Sequence, residues 1–175
     1  MKKGILILFV VMVLGLVVAL MWNKVPIIQN TVHAVLDPTA GVLLNWNISF
    51  GMLVITAIIT LIITLVQKYT IDQDTLRELK KEQKFLRDEM KKYKEHPQKV
   101  LELQSKNLEL ATKTMDLSMS SILYTALPIV LFFRWFSDYF IVNDVKIFGF
   151  FSWFWAYLIL SIIFSIIFRK IFKLP

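Results

Sequence analysis

The chain has 175 residues, of which 57% are hydrophobic, and its mean hydropathy is +0.62. Soluble domains average roughly 45–50% apolar residues, so an ordinary soluble fold is excluded. The net charge of +7 must therefore lie in separate segments. The absence of cysteine excludes disulfides and thiolate metal sites, and His33 and His96 are too far apart in sequence for a local metal site. We expect a membrane protein that is not an enzyme, with no metal and no cofactor.

Four apolar stretches cover residues 4–22, 48–66, 121–136 and 147–168. A helix needs about 20 residues to cross a hydrocarbon core of roughly 30 Å, so the first, second and fourth stretches are long enough alone. The third has 16 residues and crosses only by recruiting neighbouring residues or where the bilayer is thin. The fold class predicted is an all-α polytopic membrane protein.

The predicted organisation has six parts. Residues 1–24 form an N-terminal membrane anchor or an uncleaved signal, and residues 25–47 form an amphipathic segment on the outer surface, with His33 on its polar side. Core membrane helices follow at 48–68, 118–140 and 147–175, the last with a basic tail. Residues 69–117 form a coiled-coil hairpin.

Basic residues predict the orientation. The segment 67–120 carries 12 Lys and Arg, whereas the loops 23–47 and 137–146 carry one each, and both chain ends are basic. The positive-inside rule then places both termini and the hairpin in the cytoplasm of a multi-pass plasma membrane protein. If the first segment were removed, the new N-terminus would lie outside.

The segment 69–117 contains two helical seams at spacings of three and four residues, separated by a turn at Glu95-His96-Pro97-Gln98. Thr70 and Gln73 offer a capping box at its start. The apolar seam residues are Leu76, Leu79, Leu86, Met90, Val100, Leu103 and Leu110. Because the segment 67–120 holds 12 bases and 10 acids, the hairpin surface is either simply solvated or a docking surface for ribosomal RNA or anionic headgroups.

Hydroxyl groups interrupt the apolar helices on the predicted cytoplasmic side. Helical spacing predicts a polar stripe in each core helix, and the candidate groove-lining residues are Thr56, Thr60, Thr64, Gln67, Tyr124, Thr125, Ser161 and Ser165. They either line a wet vestibule or join helices by hydrogen bonds. Arg134, a possible functional charge, either snorkels to headgroups and pairs with Asp138 or faces the groove.

A family resemblance adds to this picture. In the order of its parts the chain resembles archaeal YidC-like proteins. A membrane helix ends in Tyr69-Thr70-Ile71-Asp72-Gln73 and a charged hairpin follows. Leu127-Pro128-Ile129 then precedes Phe132-Phe133-Arg134-Trp135-Phe136. The closing segment from Tyr157 to Lys170 is similar as well. These proteins belong to the YidC/Oxa/Alb superfamily, together with the insertase subunit of the eukaryotic ER membrane complex. The resemblance covers the chain from about Val35 onward.

The resemblance implies a three-helix insertase core with a cytoplasm-facing hydrophilic groove and no aqueous channel. The groove arginine associated with bacterial members has no counterpart within 48–68. The implied partners are nascent hydrophobic polypeptides and the lipid bilayer, with the ribosome as a further candidate and no DNA. The alternatives are a small ion channel or transporter, or a coiled-coil membrane scaffold.

Overall fold

The computed structural model describes residues 2–142 and 145–175; Met1 and residues 143–144 lie outside. Within the described residues the protein is all helical apart from an isolated bridge between Ile147 and Phe151, which confirms the all-α class. The elements are α1 (Lys2–Met21), α2 (Pro26–Leu36), a π-helix (Asp37–Gly41), α3 (Val42–Trp46), α4 (Ile48–Thr70), α5 (Gln73–Lys92), α6 (Pro97–Val142) and α7 (Trp153–Ile171).

Two helices, α4 and α7, are long and apolar enough to cross a membrane by themselves. Two further spans arise only if each of two bent pairs counts as one: Phe9–Met21 with Pro26–Trp46, bent by 91°, and Pro97–Met119 with Tyr124–Ile141, bent by 70°. The described residues therefore provide two spans, or up to four. We call the end of the bundle where α4 meets α5 the hairpin end, and the opposite end the far end.

The start of α5 is set by Asp72. Its carboxylate accepts hydrogen bonds from the backbone N–H groups of Asp74 and Thr75, both at 3.1 Å, and thereby caps the helix. The hydroxyl and the backbone N–H of Thr75 lower the pKa of Asp72. The predicted capping box of Thr70 and Gln73 is wrong, because Thr70 is the last residue of α4. The extended residues Ile71 and Asp72 separate it from α5.

The longest helix, α6, carries one arm of the hairpin and one wall of the membrane bundle. The sequence predicted separate elements on either side of residue 117, but α6 continues through this point and bends by 70° between Met119 and Tyr124. Pro128 accounts for the position of the bend. Its ring has no N–H for the carbonyl of Tyr124 and collides with that carbonyl.

Helices α5 and α6 pack along each other from the turn at His96. The amide nitrogen of Gln83 lies 3.3 Å from the hydroxyl of Thr114, which fixes their antiparallel register. The seam residues Leu86, Leu103 and Leu110 form a buried cluster, with Leu79 and Met90 packed against it; Leu76 is also buried and Val100 is half-buried. This buried cluster lies between α5 and α6.

An aromatic core closes the bundle at the far end. The rings of Phe136 and Phe140 each stack on Trp153, with centroids 6.0 Å apart, and Phe133 meets Tyr157 edge to face at 4.9 Å. Ring pairs of this geometry add stability beyond the area that they bury. This core joins the far half of α6 to the first turns of α7.

The carboxylate of Asp138 attaches α1 to the same end. It accepts hydrogen bonds from the indole N–H of Trp22 at 2.6 Å and from the amide of Gln29 at 3.1 Å. Trp22 is fully buried rather than interfacial, and the guanidinium of Arg134 lies 5.7 Å from its ring centre. The N-terminal helix is thus a packed part of the bundle.

His33 lies between two carboxylates, and 30% of its side chain is exposed. Its Nδ1 is 3.1 Å from both carboxylate oxygens of Asp37, and its Nε2 is 3.4 Å from Asp138. Asp37 also accepts the indole N–H of Trp135 at 2.7 Å. These contacts hold the segment 25–47 across the far end of α6.

The segment 25–47 turns sharply into α4. Pro38 lies in the π-helix, where its missing N–H breaks the regular α-helical ladder. After α3 the chain returns so closely that a Cβ on Gly51 would lie 2.6 Å from the carbonyl oxygen of Leu43. Only glycine allows this approach.

Replacing Trp22 with phenylalanine removes the indole donor to Asp138. We expect the free energy of unfolding to fall by about 1.5–3 kcal/mol, the usual contribution of a hydrogen bond to a charged group. Titration of the purified protein with sodium dodecyl sulfate measures this loss. Trp46→Phe is the matched control, because Trp46 is 75% exposed and should change stability little. Equal effects of the two substitutions would contradict this account of Trp22.

Gly51→Ala should destabilise the protein, because the added methyl group collides with backbone atoms that cannot rotate away. Gly41→Ala is the matched control, since its Cβ would have its nearest neighbour at an ordinary 3.6 Å. Thermal unfolding midpoints in detergent compare the two variants. The close approach at Gly51 is refuted if both variants unfold at the same temperature.

Candidate functional site

A polar cavity of about 270 Å³ opens at the hairpin end, where α4, α5, α6 and α7 meet. Gln67 and Thr125, two of the residues predicted to line a groove, line this cavity. The polar side chains around it are Gln67, Gln73, Lys80, Thr114, Ser118, Ser121, Thr125 and Arg169. Among the described residues Lys80 and Arg169 are the cations in this lining, and no Asp or Glu side chain belongs to it.

Two cations from different helices face this cavity. Arg169, in the last turn of α7, donates a hydrogen bond to the side-chain oxygen of Gln67 at 2.8 Å and so joins α7 to α4. Lys80 extends from α5, and its ammonium donates to the backbone oxygen of Pro175 at 3.0 Å. Burial lowers the pKa of Lys80, and the positive charge of Arg169 lowers it further.

An apolar cleft continues from the polar cavity toward the far end. Its first part, about 140 Å³, shares Thr125 with the polar cavity and is otherwise walled mainly by isoleucines of α4 and by Pro128, Ile129 and Phe132 of α6. A second part of about 280 Å³ shares Ile59, Ile62 and Phe132 with the first and reaches α3. The polar cavity and the two parts of the apolar cleft are thus neighbours that share wall residues.

The three threonines of α4 lie inside the bundle and do not line the polar cavity. Thr56, Thr60 and Thr64 are 0%, 4% and 2% exposed. Thr64 donates its hydroxyl to the carbonyl of Thr60 at 2.7 Å, whereas the hydroxyls of Thr56 and Thr60 have no hydrogen-bond partner in the described part of the chain. These two hydroxyls are buried polar groups without compensation.

The other candidate residues are dispersed. Tyr124 is 65% exposed and lines the apolar cleft. Ser161 and Ser165 are half-buried on α7 outside the polar cavity, and Ser161 donates to the carbonyl of Leu158 at 2.9 Å. Arg134 faces α1 and Trp22, and within the described residues it forms no ion pair with Asp138.

Sequence reasoning missed Lys80 and Arg169 as facing cations and also missed a second cavity at the far end. That cavity, of about 670 Å³, is lined by Gln29, His33, Asp37, Gly41, Asn45, Asp138, Tyr139 and Ile141. The sequence contained one signal of this far-end cavity: of the 13 acids, only Asp37, Asp138 and Asp144 lie outside the hairpin segment. Two of these meet at His33, while Asp144 lies outside the described residues.

Thr60→Val should leave stability unchanged or raise it, because valine has nearly the same shape and removes a buried hydroxyl that costs about 1–3 kcal/mol. Thr64→Val should instead lower stability, since it deletes a hydrogen bond. Unfolding in sodium dodecyl sulfate compares the two variants. A larger loss for Thr60→Val would show that its hydroxyl has a partner.

Comparison with known proteins identifies the family. Residues 33–148 match the family described as integral membrane protein EMC3/TMCO1-like, and this match covers more than half of the chain. No curated protein and no solved structure matches the chain. The matched residues include the segment at the far end, α4, the hairpin and all of α6. The chain belongs to the EMC3/TMCO1-like family of integral membrane proteins, within the YidC/Oxa/Alb insertase superfamily.

Proposed function

We propose that this protein inserts hydrophobic segments of nascent proteins into the membrane, acting as an insertase and not as an enzyme. The supporting observation is the path from the polar cavity at the hairpin end to the apolar cleft between α4 and α6. A client, the nascent protein that is inserted, likewise has a polar flank and an apolar segment, which match the cavity and the cleft.

The energetic argument concerns the polar flank. A charged side chain at the bilayer centre costs about 2.5–3.5 kcal/mol on insertion scales, and unpaired backbone groups add to this cost. A polar cavity at one end of the bundle shortens the distance that the flank must travel through hydrocarbon. In the described part of the chain the far halves of α6 and α7 pack through an aromatic core, which favours an insertase over a channel.

Orientation and location belong to the same proposal. We propose that the hairpin end faces the cytoplasm, where nascent chains arrive; the basic residues of the hairpin and of the α7 end support this orientation. The membrane is then the plasma membrane, and the order of parts favours an archaeal YidC-like subtype.

The hairpin is proposed to receive clients or to dock a ribosome. Its surface carries apolar side chains at a spacing of seven residues along α6: Leu101, Leu108 and Met115 are 64%, 60% and 42% exposed. The flexible thioether of Met115, on the same stripe as Leu101 and Leu108, can accommodate apolar segments of different shape. A scaffold could use the same stripe, but it would not need the cavity and the cleft.

Reconstitution tests the proposal directly. Liposomes that contain the full chain should integrate a client with a short polar tail several-fold more than empty liposomes. Protease protection of the translocated tail provides the measurement. Integration no higher than in empty liposomes would refute the insertase function.

Photocrosslinking tests the path. A photoreactive residue at Gln67 or Ile62 should crosslink to the client during insertion, because these positions line the polar cavity and the apolar cleft. Ile166 is the matched control: it is 63% exposed, compared with 55% for Ile62, but lies on α7 away from the cleft. Equal crosslinking from Ile62 and Ile166 would exclude the cleft as the route.

A further inference from the structure

The basic residues of the hairpin are distributed unevenly around it. Six of them recur along α5 and the turn after it at alternating spacings of three and four residues, so they share one side of the helix. We call this side the cationic flank: Arg77, Lys80, Lys84, Arg87, Lys91 and Lys94. No acid occupies a position of this series. The near balance of bases and acids in the hairpin therefore includes a strong separation of charge.

The positions of α6 on the same side are uncharged. Lys80 of α5 and Ser118 of α6 line the same polar cavity, which identifies the side of α6 that adjoins the cationic flank. The same alternating spacing, followed from Ser118 toward the turn, meets Met115, Ala111, Leu108, Gln104 and Leu101. The two leucines and Met115 are 64%, 60% and 42% exposed. Cations of α5 thus lie beside exposed aliphatic side chains of α6.

The opposite side of the hairpin carries both signs, and we call it the paired flank. Lys106 and Lys113 pair with Glu102 and Glu109 at 2.8 and 2.9 Å. Hydrogen bonding to Glu109 raises the pKa of Lys113, and the negative charge of Glu82 on α5 raises it further, so Glu82 belongs to this flank. Its residues are Glu78, Glu82, Phe85, Glu89 and Lys92 on α5, and Lys99, Glu102, Lys106, Glu109, Lys113 and Asp116 on α6. Six acids therefore meet four lysines here, and no excess of positive charge remains.

The middle of the cationic flank has few acids nearby. Lys91 lies 3.0 Å from the carboxylate of Asp88. This hydrogen bond lowers the pKa of Asp88, and the positive charges of Lys84 and Arg87 lower it further, so one carboxylate serves three cations. Lys84, Arg87 and Lys94 form no ion pair among the described residues. This part of the flank keeps an excess of positive charge.

The base of the cationic flank lies against the chain that follows α7. Arg77 donates to the backbone oxygen of Lys173, and Lys80 donates to an oxygen of Pro175, both at 3.0 Å. These two cations are therefore already occupied, and Arg77 is also 3.7 Å from Asp74. The contacts turn the cationic flank toward the ends of the membrane helices. The cavity on the paired flank, in contrast, is lined among the described residues by hairpin residues alone.

The bend of α6 inclines the hairpin toward the plane of the membrane. Its arm Pro97–Met119 makes an angle of 70° with the segment Tyr124–Ile141. With the second segment along the membrane normal, the arm rises at about 20° to the bilayer plane, so its tip stands only about 12 Å above its base. Electrostatic attraction to a charged surface extends over a Debye length of about 10 Å. Most of the cationic flank therefore lies within reach of charged headgroups.

The chemistry of the cationic flank matches an anionic bilayer surface. Basic clusters next to membrane helices bind anionic headgroups, and aliphatic side chains of interfacial helices reach the boundary between headgroups and acyl chains. RNA also attracts cations, but proteins hold unpaired bases by stacking them on aromatic rings. The series that form the cationic flank and its α6 side contain no aromatic residue. The bilayer surface is therefore the better match.

We propose that the hairpin docks on an anionic bilayer surface through its cationic flank, with Leu101, Leu108 and Met115 at the level of the headgroups. The paired flank then faces water. The same aliphatic side chains belong to the surface proposed to receive clients, so a client has to displace the bilayer from them. Docking itself does not depend on insertase activity and is measured without a client.

Single fluorescent labels test the proposal, because the chain contains no cysteine of its own. Leu108→Cys places an environment-sensitive dye beside the cationic flank, and Phe85→Cys places it on the paired flank. The two positions are matched, since these side chains are 60% and 62% exposed. The full chain is studied in nanodiscs of phosphatidylcholine, with or without phosphatidylglycerol that has the same acyl chains.

Quenching by the neutral, water-soluble molecule acrylamide provides the measurement. Phosphatidylglycerol should lower the quenching constant at Leu108→Cys at least twofold and leave that at Phe85→Cys unchanged. High salt should reverse the effect, because it screens the headgroup charge. An equal response of the two labels, or no response at Leu108→Cys, would overturn the proposal.

Charge variants that carry the Leu108→Cys label separate the cationic flank from net charge. Lys84→Gln/Arg87→Gln should abolish the effect of phosphatidylglycerol. Lys92→Gln/Lys106→Gln removes the same charge from the paired flank and should preserve the effect. Equal losses in both variants would overturn the role of the cationic flank. Gel filtration in detergent identifies a variant that does not fold.

A nucleic acid is the alternative that the same label detects. Short double-stranded RNA is added to the Leu108→Cys protein in neutral detergent, where no anionic headgroups are present. Shielding of the label by this RNA, combined with no shielding in nanodiscs that contain phosphatidylglycerol, would overturn the bilayer as the occupant. Shielding by phosphatidylglycerol that RNA does not reproduce supports the proposal.

Discussion

The closure of the far end by buried rings and by the Asp138 carboxylate determines how the rest of the bundle is arranged. Aromatic stacking fixes α6 against α7, and the indole N–H of Trp22 fixes α1 beside them. The polar cavity can open at the hairpin end because the helices are already held together at the other.

The two ends consequently differ in chemistry. Carboxylates and a histidine line the far-end cavity, whereas two cations and several hydroxyls line the hairpin-end cavity. Between them the apolar cleft follows α4, with Phe132 on the wall shared by both of its parts. Each end of the described bundle therefore presents its own polar surface.

Sequence periodicity predicted the elements better than it predicted their contacts. The apolar stretch 48–66 lies within α4, and the seam residues Leu86, Leu103 and Leu110 form a buried cluster. Periodicity cannot tell which neighbour a polar face meets, so Thr56 was assigned to a groove although it is buried. The bond from Trp22 to Asp138 spans 116 positions, and no local pattern encodes such a contact.

Helix α6 joins the hairpin tip to the far-end core in a single element with one bend. The hairpin surface and one wall of the apolar cleft therefore lie on the same helix, and the angle of this bend sets their relative position. A ligand can change such an angle only by as much as its affinity differs between the two arrangements.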